Sequence, residues 1–432
     1  MDSAEADLSA GIAHHRAGRI ADAAASYHRV LSADPSHPDA LRMLALIARE
    51  AGNLDESAEL LNRALAEMPD AAELHVDLAE VERRRGNRDA ALASAAAAVR
   101  LDPVTLGAER VHARALEESG RFAESLAAWR RAVVAHPEDA EAHVGLGQSL
   151  LLHGQWGQGW REYDWRWRLL RGGTFPYEKW DGSPLGGRTL LVYGEQGWGD
   201  NFQFARLPAL ARDKVGGPVI FACPPDVAYL LVPQCGITVV PGGRLPRFDL
   251  GISIIDLARV LNVTEDDLPG PIPYLVANPA DAPRAVKELA GRRIGLAWQG
   301  HPDHPRDRDR SIPSALLAPL LDVPGVTWVS VAKEHRPPHG VLDLSADIRD
   351  FRDTAAILAN LDLLVTVDTS VAHLAGAMGV PTWLLLPHFP DWRWLLDRED
   401  SPWYPSVRLF RQSSRADWAG VIERVRAELL RR

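Results

Sequence analysis

"LDLLVTVDTSVAHLAGAMGVPTWLLLP", Leu361 to Pro387, decides how the second half of the chain folds. The apolar run up to Val367 reads as a strand buried in a parallel sheet. Asp368, Thr369 and Ser370 stand at the strand-to-helix turn, where their side chains cap the helix and its free N–H groups point beyond the sheet. An anion is stabilised at such a place. The helix itself, "VAHLAGAMG", is built of alanine and glycine and lets a ligand or the sheet come close. His373 falls three residues after Ser370, about one turn in, on the same edge.

Outward from this stretch, short apolar strands alternate with helical segments. "RTLLVYG", "PVIFAC", "ITVV" and "FDLGISI" form a first series, and "RRIGLAW", "VTWVSVA", "LDLLVTVD" and "TWLLLP" a second. Such alternation predicts two open α/β domains with parallel sheets and right-handed crossovers. The segment from Asn262 to Gly291, with "TEDDLPGPIP", reads as the hinge between them. Ligands of open sheets lie beyond the carboxyl ends of the strands, so the facing domains predict a cleft lined by both sets of loops.

The first part of the chain has another rhythm. Gly18, Gly52, Gly86, Gly120 and Gly154 stand 34 residues apart, and Pro35, Pro69, Pro103 and Pro137 keep the same step. Glycine supplies the left-handed turn between antiparallel helices, and proline closes the second helix of each pair. Small residues such as Ala24, Ala58 and Ala128 recur where helices approach. These features identify tetratricopeptide repeats over about residues 5 to 170. The last proline is replaced by "GQWGQGWREYDWRWRLL", whose Trp156, Trp160, Trp165 and Trp167 are expected to pack between domains rather than to stack on sugars. The expected division is an array over 1–170, a linker over 171–187, α/β domains over 188–275 and 288–414, and a terminal helix over 415–432 that packs back across the module.

Composition bounds the rest. The 432 residues are 46% apolar and carry a formal charge of −10, which argues against a nucleic-acid partner. Cys223 and Cys235 lack C-x-x-C companions and read as inert thiols. No basic segment followed by an apolar one opens the chain, and no apolar run could span a bilayer, so a soluble cytoplasmic protein is expected.

Three loops carry candidate chemistry. "GEQGWGDNFQFARLPAL" follows the first strand with Gly194, Gly197 and Gly199, then Asp200 and Asn201. "LAWQGHPDHPRDRDRSIP" opens the second α/β domain with Gln299 and Gly300, followed by Arg306, Arg308 and Arg310, whose planar forks suit diphosphate oxygens. The third loop is Asp368–Ser370. A nicotinamide site fits poorly, because G-x-G-x-x-G is absent and only Asp226 could hold a ribose. Asp307, Asp309, His301, Asp303 and His304 include ligand types, but arginines and prolines interrupt them, and no metal or other cofactor is expected.

"DTSVAHLAGAMGVPTWLLLP" and "GWGDNFQFARLPAL" together resemble the Asp-Thr-(Gly/Ser)-x-x-His and Gly-Asp-x6-Leu-Pro-Ala-Leu motifs of ADP-heptose:lipopolysaccharide heptosyltransferases over about residues 186 to 432. The layout with repeats is similar to that of O-linked N-acetylglucosamine transferases. The resemblance implies an α-solenoid followed by a GT-B module of two Rossmann-like domains, an α + α/β chain. It also implies an inverting, metal-independent hexosyl- or heptosyltransferase that uses a nucleotide-sugar donor. Asp200 would be the catalytic base. Gly199, Gln299, Gly300, Arg308, Arg310, Asp368, Thr369, Ser370 and His373 would bind the donor. Arg310 stands where the heptosyltransferase phosphate loop has lysine, and those enzymes usually lack repeats. Flagellin-modifying transferases share the repeat-plus-transferase layout, so a protein, flagellin among the candidates, would be the acceptor held in the repeat groove. The alternatives are a repeat adaptor with a relic cleft, a transferase acting on a glycan or lipopolysaccharide, and a sugar-nucleotide epimerase.

Overall fold

The computed structural model describes residues 3–170, 177–233, 236–268, 270–304 and 306–431. Cys235 and residues 171–176 of the expected linker lie outside the described residues. The chain divides into two compact units, Met1–Ser149 and Leu150–Arg432.

The first unit is a stack of helical hairpins: Ser3–Arg16 with Ile20–Ala33, Pro38–Glu50 with Leu54–Glu67, Ala72–Arg85 with Arg88–Leu101, and Ala108–Glu118 with Phe122–Ala135, before helix Ala140–Leu152. The hairpin turns require positive φ, and Gly18, Gly52, Gly86 and Gly120 adopt 73°, 83°, 83° and 74°. Only glycine takes that conformation without strain, which explains the glycine beat. Leu41, Leu61, Leu74 and Leu78 interleave successive hairpins in one buried cluster. Ion pairs 35 positions apart link the hairpins, Arg42 to Asp77 at 2.6 Å and Arg83 to Glu118 at 3.1 Å, each joining a helix to its counterpart in the next hairpin. Trp129 is buried with its ring against Gly145, where a Cβ would collide with the indole, and its Nε1 donates to Glu117 at 2.9 Å.

The second unit holds two sheets, all of whose ladders are parallel. Strands β1 (Leu190–Tyr193), β2 (Val219–Ala222), β3 (Ile237–Val240) and β4 (Leu250–Ser253) lie in the order β3-β2-β1-β4. Strands β5 (Arg292–Ala297), β6 (Val326–Ser330), β7 (Val341–Leu342), β8 (Leu363–Val367), β9 (Thr382–Leu386) and β10 (Val407–Arg411) lie in the order β10-β9-β8-β5-β6-β7. Strand order reverses between β1 and β4 in one sheet and between β5 and β8 in the other. In open parallel sheets the loops at the carboxyl end of such a reversal diverge, and ligands are commonly held there. Every residue of β8 is buried, as a strand covered on both faces must be.

The terminal helix Trp418–Leu430 lies against the second sheet. Trp418, Val421, Ile422, Val425 and Leu429 form one apolar stripe and complete the core of that sheet with Ile294, Leu296 and Trp383. The expected hinge is also pinned at Tyr274. Its backbone N–H donates to Ala377 at 3.1 Å and its buried hydroxyl to the Phe202 carbonyl at 2.9 Å. The tryptophan-rich helix Trp156–Tyr163 packs within this unit. Trp156 meets Trp403 at 5.5 Å between centroids, and Trp160 meets Trp392 at 5.3 Å while donating to the Val263 carbonyl at 2.9 Å. Burial pushes the Cys223 thiol up to about 12, well above any reactive range. No helix among the described residues is long and apolar enough to cross a membrane.

Candidate active site

The loops after β5 and β8 meet at the reversal of the second sheet. Thr369 takes the extended N-cap conformation of helix Ser370–Met378, at φ −142° and ψ 173°, and its buried Oγ1 has no hydrogen-bond partner. A buried hydroxyl without a partner is uncommon and calls for an explanation. Arg310 Nη1 donates to the Asp368 carbonyl at 2.9 Å and Nε to Asp307 at 3.1 Å. Gly300 lies against the same guanidinium, leaving no room for a Cβ, and its N–H donates to Ser311 Oγ at 3.0 Å. Gly300, Arg310 and the Asp368 backbone thus meet directly at the reversal, with Gln299 next to Gly300 and with Thr369 and Ser370 following Asp368 in the chain. Arg308 is exposed and stands outside this group.

His373 is buried inside the same helix. Its Nδ1 shares a 3.0 Å hydrogen bond with the Tyr404 hydroxyl, and its ring stacks on Trp394 at 5.2 Å. Gly376, one turn on, admits the Tyr404 ring where any side chain would collide. Burial, reinforced by the charge of Arg393, lowers the His373 pKa to about 3, so the imidazole is neutral at physiological pH. Asp368 moves the other way. Burial and the nearby Asp391 carboxylate raise it to about 6, against the pull of Arg310 and Arg393.

These shifts set a pH dependence of stability. Unfolded histidine protonates below about 6.5, whereas folded His373 stays neutral to about 3. The unfolded state therefore binds more protons in that window, and the His373 contribution is lost as pH falls through it, at most about 1.4 kcal/mol per unit. Asp368 opposes it: the folded state holds the extra proton between about 4 and 6, so its contribution is lost as pH rises through 6. The melting temperature of the His373→Gln variant, followed by calorimetry from pH 7 to 4, should decline less steeply than that of the wild type. An equal decline in both proteins would exclude His373 as the source.

The first sheet reaches this place through the turn after β1. Gly194 leaves space for Asn201, and helix Trp198–Phe204 begins after Gly197. A Cβ on Gly199 would stand 3.0 Å from His373 Cδ2 and 3.6 Å from Ser370 Cα. The helix starts of the two sheets are therefore in direct contact, with Asp200 next to the contacting Gly199. One Asp200 oxygen accepts from the Gly197 N–H at 3.1 Å, and the other pairs with Arg393 Nη2. Arg393 also donates from Nη1 to Asp391 at 2.8 Å and from Nε to Gln203 Oε1 at 2.7 Å, and lies 4.2 Å from the Trp392 ring centre.

Arg393 and Asp391 belong to the turn after β9, and "DWRW" at 391–394 matches none of the motifs that mark the other loops. Its place at the carboxyl end of a central parallel strand was the usable signal. Asp226, the weak ribose candidate, instead accepts from the Phe351 N–H at 3.1 Å at the start of a helix in the second sheet's domain.

A second charged cluster fills the reversal of the first sheet. Arg166 donates to both oxygens of Glu195 at 2.8 Å and to Asp256 at 2.5 Å. Lys179 reaches Asp256 at 2.7 Å, and Trp167 Nε1 donates to it at 3.0 Å. Against the upward push of burial, Arg166 and Lys179 hold the Asp256 carboxyl below its ordinary range. The β1/β4 crevice is thus plugged by the chain itself, while the β5/β8 crevice is lined by groups that can address a ligand.

The tetratricopeptide-repeat family model matches residues 8–72 and 110–158. Across 92% of its length the chain is 28% identical to the protein FlbA of Caulobacter vibrioides, of which the match covers 73%. Among solved structures, it is similar to a MamA protein at 17% identity and TM-score 0.31, over 40% of this chain and 90% of that one. It is also similar to a thermophilic repeat protein of Thermus thermophilus at 20% identity and TM-score 0.33, over 37% and 88%. The α + α/β chain carries tetratricopeptide repeats in its amino-terminal part, a module whose usual partners are other proteins.

Proposed function

We propose that the α/β unit is a GT-B glycosyltransferase that moves a sugar from a nucleoside-diphosphate donor to an acceptor hydroxyl with inversion, and that the repeats recruit a protein acceptor. The observation that carries this reading is the packing of Gly199, so close that a Cβ on it would stand 3.6 Å from Ser370 Cα and 3.0 Å from His373 Cδ2, which brings the neighbour of Asp200 against the start of helix Ser370–Met378. In the reaction, Asp200 takes the proton of the acceptor hydroxyl while that oxygen bonds to the anomeric carbon. The bond from that carbon to the diphosphate breaks, and its electron pair leaves with the phosphate oxygen. The amides of Ser370–Met378 and the Arg310 guanidinium stabilise the charge that develops there, without a metal ion. Gln299 and Gly300 line the nucleotide side, and the unpartnered Thr369 hydroxyl is free to bond a phosphate or sugar oxygen. The 28% identical relative adds no chemistry to this argument.

Thermal unfolding in the presence of ADP, UDP, GDP and CDP, with EDTA throughout, tests the donor site. A nucleotide at 100 times its dissociation constant stabilises the fold by about 2.7 kcal/mol, a shift of several degrees. One base should stand out. Unchanged melting with all four at millimolar concentration would refute the donor cleft, whereas binding without transfer to any acceptor would favour the adaptor reading.

A further inference from the structure

We infer that Arg393 is a two-position residue: it covers Asp200 while the cleft is empty and swings to the donor diphosphate when that arrives, uncovering the carboxylate for the acceptor. The inference rests on the donor-cleft reading above.

Arg393 makes two kinds of contact. Those to Asp391 and the Trp392 ring lie within its own turn. Those to Asp200 and Gln203 reach a helix of the other sheet, 193 and 190 positions away in sequence. A flexible arginine side chain can keep the first pair as a pivot and release the second. With the Gly197 N–H on one Asp200 oxygen and Arg393 on the other, the guanidinium occupies the place where a hydroxyl must deliver its proton. Asp200, Asp391 and Asp368 stand around it with Arg310 as another cation of the crevice, so a second guanidinium turned toward an incoming diphosphate would add to the attraction that Arg310 supplies. Arg393 is near enough to act electrostatically on both Asp368 and His373, which belong to the donor side of the cleft. A guanidinium that moves from carboxylate to phosphate exchanges one charge-assisted pair for another, which makes the two positions close in free energy.

The signature is competition. If Asp200 and the diphosphate contend for one guanidinium, neutralising Asp200 strengthens nucleotide binding. Calorimetric titration of the full chain with the nucleoside diphosphate that gives the largest thermal shift should show Asp200→Asn binding roughly fivefold more tightly than wild type. Arg393→Gln should bind roughly tenfold more weakly, and Arg393→Lys should recover part of the loss. In the Arg393→Gln background, Asp200→Asn should add no gain, whereas a gain that persists there would mean simple charge repulsion and overturn the inference.

Equal affinity in wild type and Asp200→Asn would likewise overturn it while leaving the donor cleft intact. Absence of binding by the wild type to all four nucleotides would overturn the donor cleft and this inference with it. If Arg393→Gln fails to fold, the double variant built with Arg393→Met, which keeps the apolar stem and removes the charge, supplies the same comparison.

Discussion

Asp200→Asn is expected to slow sugar transfer by roughly 10²- to 10⁴-fold, the usual contribution of a positioned general base. That factor corresponds to about 3–5.5 kcal/mol of barrier. The amide keeps the shape of the carboxylate and can still accept from the Gly197 N–H, so helix Trp198–Phe204 retains its start. What it loses is the negative oxygen beside Arg393 and the ability to take a proton. The loss should therefore fall on kcat, with donor KM no higher than in wild type. Initial rates with saturating donor would decide the matter. Transfer within about threefold of wild type would move the base elsewhere in the cleft, since so small an effect lies below what base removal produces.

Arg166→Ala should destabilise the α/β unit by about 3–5 kcal/mol, because removing one partner of a buried ion cluster leaves the others charged and unpaired. Glu195 and Asp256 would be those others, and Asp256 is almost fully enclosed, with its side chain 1% exposed. Lys179 could still neutralise Asp256, whereas Glu195 would keep only the neutral donors Ser253 Oγ and Gln196 Nε2 in place of the paired guanidinium bonds. Urea unfolding followed by tryptophan fluorescence gives the difference. A loss below about 1 kcal/mol, the scale of an exposed pair, would mean that water reaches the carboxylates and that the cluster is not a structural plug. The same substitution tests the asymmetry of the two sheets, since it concerns the crevice that the chain has filled for itself.

Much of this architecture was legible in the chain. The repeats announced themselves because a backbone constraint, positive φ at the turn, recurs with the hairpin and admits few residues besides glycine. Strands β1 to β6, β8 and β9 were visible as apolar runs. Strand β7 was not, being only Val341 and Leu342, and β10 was hidden because Arg408 and Arg411 break the apolar run of an edge strand. The loops after the first strand of each sheet and after β8 could be read as candidates, since the chemistry and the fold rule coincide there. Arg393 and Arg166 could not. Each lies in a tryptophan-rich stretch that resembles packing, and their carboxylate partners stand 193 and 90 positions away, beyond any local pattern.

Where the α/β unit begins has a practical side. Trp156, Trp160 and Arg166 come shortly after Gly154, the last glycine of the 34-residue beat, yet their packing and ion pairs tie them to the sheets. A fragment intended to carry the α/β unit alone should start near residue 150, the division between the compact units, and not at the linker. Trimming away the full run of repeat-like sequence would also excise the plug of the first sheet.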